Sequence, residues 1–160
     1  MDRFHSLSHE RAACELMTCC AARSWAAQVS GLRPFPDKAA LVATGRKLAE
    51  QLTWPEVLEA LSAHPRIGQS PASPTKEAHW SRQEQSGVSA NSQEAFIAGN
   101  AAYENRFGHI FLICATGMSG EQMLAELGSR LENDVAREQV VVRQELAKIV
   151  ELRLRKLVGS

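Results

Sequence analysis

The sequence predicts an all-α fold: a single compact domain, residues 1–160, of about seven or eight helices. Three observations carry that expectation. Apolar residues recur at spacings of three and four along most of the chain, which is the period of a helix face and not of a strand. Gly and Pro are scarce outside two short stretches, 31–36 and 64–75, so few breakers interrupt the periodic segments. Ser, Thr, Asp and Asn stand where those segments begin, several with Glu or Gln three residues later, the signature of helix N-termini. With 160 residues, 44% of them hydrophobic, the chain can bury a sizeable core.

The elements follow in order. A first helix is expected over 8–23, with Ser8 as N-cap of an Ala-, Leu- and Met-rich run. Gly31-Leu32-Arg33-Pro34-Phe35-Pro36 breaks it from the next, for which Asp37 is the N-cap. Thr53-Trp54-Pro55-Glu56 has the form of a capping box with Pro in the first turn. The helix it opens ends near Ser62 or Ala63, because His64 precedes Pro65 and is pushed out of the α region. Residues 64–75, with three prolines and one glycine, read as an irregular loop. A helix then runs through Glu77, Trp80 and Glu84 to Ser86, where Gly87 can end it. Asn91-Ser92-Gln93-Glu94 is a further cap pattern, and Phe96, Asn100, Tyr103 and Phe107 beyond it place one Asn among aromatics on a single face. The apolar run Gly108 to Cys114 is readable either as a strand or as a buried helix. Ser119-Gly120-Glu121-Gln122 caps a helix bearing Leu124, Leu127 and Leu131. The last helix, from about Asn133 to Leu157, repeats Val142, Leu146, Ile149 or Val150, and Leu157.

Charge excludes several function classes. Lys and Arg number 18, as do Asp and Glu, so the chain is neutral and lacks the basic excess of a nucleic-acid or polybasic membrane surface. No apolar run approaches the roughly 20 residues of a membrane span, and MDRFHSLSHE has no apolar signal core. A soluble, cytoplasmic protein is expected. Cys14, Cys19, Cys20 and Cys114 show no C-x-x-C spacing and read as buried or half-buried free thiols. His5 and His9 lie four apart beside Glu10, but with no third ligand nearby no metal site is expected.

Three segments offer chemistry. In His64-Pro65-Arg66-Ile67-Gly68 a histidine sits at a helix C-terminus, whose carbonyls favour the imidazolium, and proline fixes the backbone after it. The same ring could instead cap the preceding helix. In Ser81-Arg82-Gln83-Glu84-Gln85, Ser81 and Glu84 share a helix face and, with Gln85, suit a small polar ring bearing N–H and C=O groups. S-x-x-E is equally a capping box if a helix starts at Ser81. In Tyr103 to Cys114, Gly108 permits a sharp turn, and the apolar run after it carries main-chain groups that either core packing or a ligand must satisfy. No Ser-His-Asp set, metal-ligand cluster or phosphate-binding Gly loop is visible. These residues alone define a helical domain with a candidate polar pocket, and leave an enzyme and a non-enzymatic helical interaction module both open.

Taken as an ordered set, Trp25 with Arg33-Pro34-Phe35, His64-Pro65-Arg66-Ile67-Gly68, Ser81-x-x-Glu84-Gln85, the Tyr103–Cys114 block and the closing Glu145–Leu154 helix resemble the OHCU decarboxylase family. OHCU is 2-oxo-4-hydroxy-4-carboxy-5-ureidoimidazoline, an intermediate of urate breakdown. The resemblance runs from about residue 8 to 157. It implies an all-α lyase, commonly a homodimer, that needs no cofactor and converts OHCU to (S)-allantoin and CO₂. By position it implies catalytic roles for His64 and Glu84. It implies substrate contacts from Pro65, Ser81, Arg82, Gln83, Glu84 and Gln85, from the 109–113 segment (His109, Ile110, Phe111, Leu112, Ile113), and from Arg153. The chain has His109-Ile110-Phe111 where animal relatives typically have Phe-Pro-Phe. An enzyme acting on a related ureide is the alternative within catalysis.

Overall fold

The computed structural model describes residues 1–68, 80, 83, 84 and 92–159. Among them are eight helices and no strand: α1 (Asp2–Ser6), α2 (His9–Met17), α3 (Arg23–Gly31), α4 (Lys38–Glu50), α5 (Trp54–Leu61), α6 (Gln93–Phe107), α7 (Gly120–Arg130) and α8 (Val135–Gly159). None is long and apolar enough to cross a membrane. Two compact units are distinguished: residues 1–63 with 143–160, and residues 64–142.

Four of the caps read from the sequence are present, at Ser8, Asp37, Thr53 and Ser119; at the fifth pattern the helix starts after Ser92, whose side chain makes no cap hydrogen bond, and Asn91 lies outside the described residues. Ser8 Oγ accepts from the Arg11 N–H at 3.2 Å and Asp37 Oδ1 from the Ala40 N–H at 2.7 Å. Thr53 and Glu56 close a full capping box, as do Ser119 and Gln122. The expected 8–23 helix is corrected. It stops at Met17, where the Thr18 hydroxyl turns back onto the Glu15 carbonyl and the Cys19 and Cys20 N–H groups close on Leu16. A separate helix begins at Arg23. Its N-cap residue, Ala22, has no side chain to cap with, and Glu59 of α5 accepts from the Arg23 N–H at 3.0 Å instead. That cap comes from tertiary structure, 36 residues away.

In the first unit Trp25, Val29, Leu41, Val150 and Leu154 are buried. The Trp25 indole donates to the Gly45 carbonyl at 2.8 Å. Arg33 ties α1 to α3 by donating to the carbonyls of Phe4, Leu7 and Ser30 (2.9, 2.8 and 3.0 Å) while lying over the Phe4 ring. His5 accepts from the Phe35 N–H and His9 hydrogen-bonds Ser30, so both imidazoles serve packing in this unit. The cysteines are free thiols; Cys19 and Cys20 are buried and Cys114 is partly so, but Cys14 is exposed, against expectation. Burial pushes the Cys20 thiol up to about 12, against a lowering contribution from the Arg153 charge.

The core of the second unit gathers Phe96 and Tyr103 of α6, Met123 and Leu127 of α7, Ile67, and Phe111, Ile113 and Ala115. The run after Gly108 is neither strand nor helix. Side chains 111, 113 and 115 enter the one cluster, the period-two pattern of an extended backbone.

Candidate active site

The chain leaves α5 through Ser62, and His64 and Pro65, both half-buried, form a corner there. Three side chains of α6 pin the residues that follow. Glu104 takes a forked ion pair from Arg66, with contacts of 2.7, 2.9 and 3.1 Å. The Asn100 amide donates to the Ile67 carbonyl at 2.9 Å, and the Gln93 amide to the Gly68 carbonyl at 3.3 Å. Gly68 takes φ +87°, a left-handed conformation that favours glycine, and there the loop turns onto the helix at Phe96. The Arg66 hydrogen bond holds the Glu104 carboxyl below the usual carboxylate range. The Asn predicted among aromatics is thus a clamp on the histidine corner. Its Oδ1 is buried and, among the described residues, has no hydrogen-bond partner.

The other end of α6 carries the second segment. Gly108, at φ +79°, caps the helix and turns the chain into residues 109–115. His109 and Ile110 are half-buried; Phe111, Leu112 and Ile113 are buried. The His109 ring meets Tyr103 edge-on at 5.5 Å, and its Nδ1 lies 3.0 Å from the Ile110 carbonyl oxygen. Beneath the segment lies a buried polar network that the sequence reading missed. Arg130, 2% exposed, donates from Nε and Nη2 to Glu138 at 2.8 and 2.6 Å and from Nη1 to the Leu112 carbonyl at 2.6 Å. Glu138, fully buried, also accepts from the Tyr103 hydroxyl (2.5 Å) and from Asn133 (2.9 Å). Burial first, and the bond to Glu138 second, push the Tyr103 phenol well above its usual range. A signal existed: Arg130 continues the Met123, Leu127 face and Glu138 precedes Val142 and Leu146 at the same helical spacing, so each charge stands on an apolar stripe.

One helix therefore positions both the 64–68 corner and the 109–113 segment. Among the other residues singled out, Glu84 is buried in the same unit and Gln83 is exposed, both in helical conformation. Ser81, Arg82 and Gln85 lie outside the described residues, as does most of the expected 77–86 helix. Arg153 is buried on α8 within the first unit. An open cleft of about 310 Å³ in that unit, lined by Lys38, Ala39, Val42, Arg155 and Val158, holds none of the predicted site residues. Among the described residues no group of three His, Cys, Asp or Glu side chains could hold a metal ion.

Residues 5–155 match OHCU decarboxylase, and the chain belongs to that family. It is 35% identical over 150 residues to the uric acid degradation bifunctional protein TTL of Arabidopsis thaliana, covering 89% of this chain and 46% of that protein. It is 41% identical over 59 residues to 2-oxo-4-hydroxy-4-carboxy-5-ureidoimidazoline decarboxylase of Amia calva, 37% of this chain and 34% of that one. The alignments thus span less than half the length of these curated relatives. Among solved structures, OHCU decarboxylase crystallised in the presence of (S)-allantoin is similar with a TM-score of 0.78 and 32% identity, over 91% of this chain and 98% of that chain. (S)-Allantoin synthase shares the fold at 20% identity, with a TM-score of 0.68 over 98% of this chain and 53% of that one.

Proposed function

We propose that this chain decarboxylates OHCU to (S)-allantoin and CO₂, with His64 as the proton donor. The observation that carries the reading is the pinned corner: in a chain matching the family over residues 5–155, three α6 side chains fix the loop that presents His64. Breaking the bond between the substrate's ring carbon and its carboxylate releases CO₂ and leaves an electron pair. The adjacent ring C=N takes up that pair and the hydroxyl-bearing carbon becomes enolic, so the substrate supplies its own electron sink and no cofactor is called for. A proton delivered to the ureido-bearing carbon on one face completes the (S) product, while the enol hydroxyl gives up its proton to become the ring carbonyl and the ring nitrogen that took up the electron pair gains one. Imidazole is suited to this step because it holds and releases a proton near neutral pH, help worth about 10²–10⁴ in rate. Glu84 orients the substrate or the imidazole, and main-chain groups of 109–113 read its ring. On the same reading the protein is a homodimer in the cytoplasm, which sedimentation velocity and cell fractionation test.

The deciding experiment follows allantoin by circular dichroism after OHCU is generated fresh from urate. Rapid one-handed product on adding the protein, lost in a folded His64→Asn variant, supports the reading. Racemic product at the protein-free rate removes it and returns the chain to the interaction-module or related-ureide alternatives. Full activity in His64→Asn removes His64 from the chemistry.

A further inference from the structure

The buried Arg130–Glu138 pair is unusual for what it holds. Its spare guanidinium nitrogen does not reach solvent or a second carboxylate; it grips the main chain at Leu112 O. The same guanidinium lies over the Phe111 ring, 4.5 Å from its centroid, and over Tyr103 at 5.8 Å. One cation thus sets both a peptide plane and a side chain of the 109–113 segment. On an extended backbone the N–H and C=O of one residue project to one side and those of its neighbours to the other. With the Leu112 carbonyl turned to Arg130, the N–H and C=O groups of Phe111 and Ile113 face away from it. Among the described residues, the N–H groups of Phe111 and Ile113 have no main-chain partner. Such a pair of alternating donors and acceptors matches a ring amide or ureide edge.

We propose that Arg130 is a positioning residue, which by gripping Leu112 O and covering Phe111 presents the main chain of Phe111 and Ile113 to a cyclic ureide. Glu138 neutralises the guanidinium in the core. Tyr103 donates to the same carboxylate oxygen as the guanidinium and Asn133 to the other, which holds the carboxylate, and with it the guanidinium, in one orientation. The inference rests on the decarboxylase reading above and adds the residues that set its substrate-reading edge. Arg130 itself touches no reacting atom in this scheme.

Removing Arg130 alone strands the Glu138 charge in the core, so Arg130→Met is expected to unfold. The test is therefore the double variant Arg130→Met with Glu138→Gln, which removes both charges and leaves an acceptor for the Tyr103 hydroxyl. Expected is a protein with parental helical signal and cooperative melting whose kcat/KM for fresh OHCU falls by about 10²-fold, as a misplacement of order 1 Å produces. Amide ¹H–¹⁵N shifts of Phe111 and Ile113 on adding (S)-allantoin, present in the parent, are expected to vanish. A purely structural pair would change melting and leave both readouts of the folded protein untouched. A folded double variant that matches the parent in kcat/KM and in both amide shifts overturns the role of Arg130. If the parent itself neither accelerates (S)-allantoin formation nor binds it, the decarboxylase reading falls and this inference with it, so the two failures are distinguishable.

Discussion

Replacing Asn100 by Leu separates the stability of the second unit from the order of its histidine corner. Asn100 is 4% exposed; its amide nitrogen holds the Ile67 carbonyl at 2.9 Å, and its Oδ1 is buried with no partner among the described residues. Leucine has nearly the same volume. Losing the bond leaves the Ile67 carbonyl short of a partner in a residue 5% exposed, a penalty of about 1–3 kcal/mol. Removing the orphaned Oδ1 relieves a penalty of the same kind, also about 1–3 kcal/mol. The two offset, and the net change in stability is expected within about 1 kcal/mol of zero. Activity is not expected to be spared. The clamp on the loop is gone, and a freed corner lets His64 wander from its productive position, a displacement that costs on the order of 10²-fold. Urea unfolding gives the stability, and initial rates on fresh OHCU give kcat/KM. A loss above about 3 kcal/mol, or parental turnover at parental stability, refutes the reasoning.

Three other outcomes follow from the same packing. Tyr103 is the chain's single tyrosine, so absorbance at the phenolate band reads it alone. Its raised folded value means it should stay protonated near pH 11, where a free phenol with a pKa of about 10 is mostly ionised; early ionisation contradicts the network. Because the folded value lies above the unfolded one, its contribution to stability is intact below about pH 10 and is lost progressively above it. Gly45→Ala drives a methyl into the Leu154 side chain and against Trp25 and should destabilise by about 1–3 kcal/mol, whereas Gly128→Ala, with nothing nearby, should be neutral or stabilising by up to about 1 kcal/mol; denaturant midpoints of the pair check both. Thiol titration at pH 8 should find Cys14 reactive and Cys20, at about 12, silent until denaturant is added; prompt labelling of Cys20 counts against its burial.

What the sequence made legible is what local rules govern. The caps at Ser8, Asp37, Thr53 and Ser119 and the stop before Pro65 depend on neighbours within four residues, and all are present. The Asn100 face was legible as a pattern, though its partner, a carbonyl 33 residues away, was not. The missed break at residue 18 has the same origin, since the α3 N-terminus depends on Glu59 of another helix. The 109–113 segment resisted assignment because its backbone finds neither a helix nor a sheet, and its anchor, Arg130, lies 18 residues beyond Leu112. Two opposite charges interrupting two apolar stripes announce a buried pair, yet nothing in their spacing says that a peptide carbonyl completes it.

The last helix has a consequence for the order in which the chain is assembled during synthesis. Residues 64–142 form an uninterrupted stretch, whereas the first unit joins residues 1–63 to 143–160. Arg46 pairs with Glu151, Arg143 donates to the Leu52 carbonyl, and Gly45 packs against Leu154, so helices made first wait for partners made last. The segment bearing His64 and Arg130 can collapse on local contacts while the nascent amino-terminal helices still expose the apolar faces around Gly45 on which Leu154 closes. Ribosome stalling or truncation before residue 143 would leave those apolar faces uncovered, and it is there, not at the histidine corner, that a nascent chain most needs a chaperone.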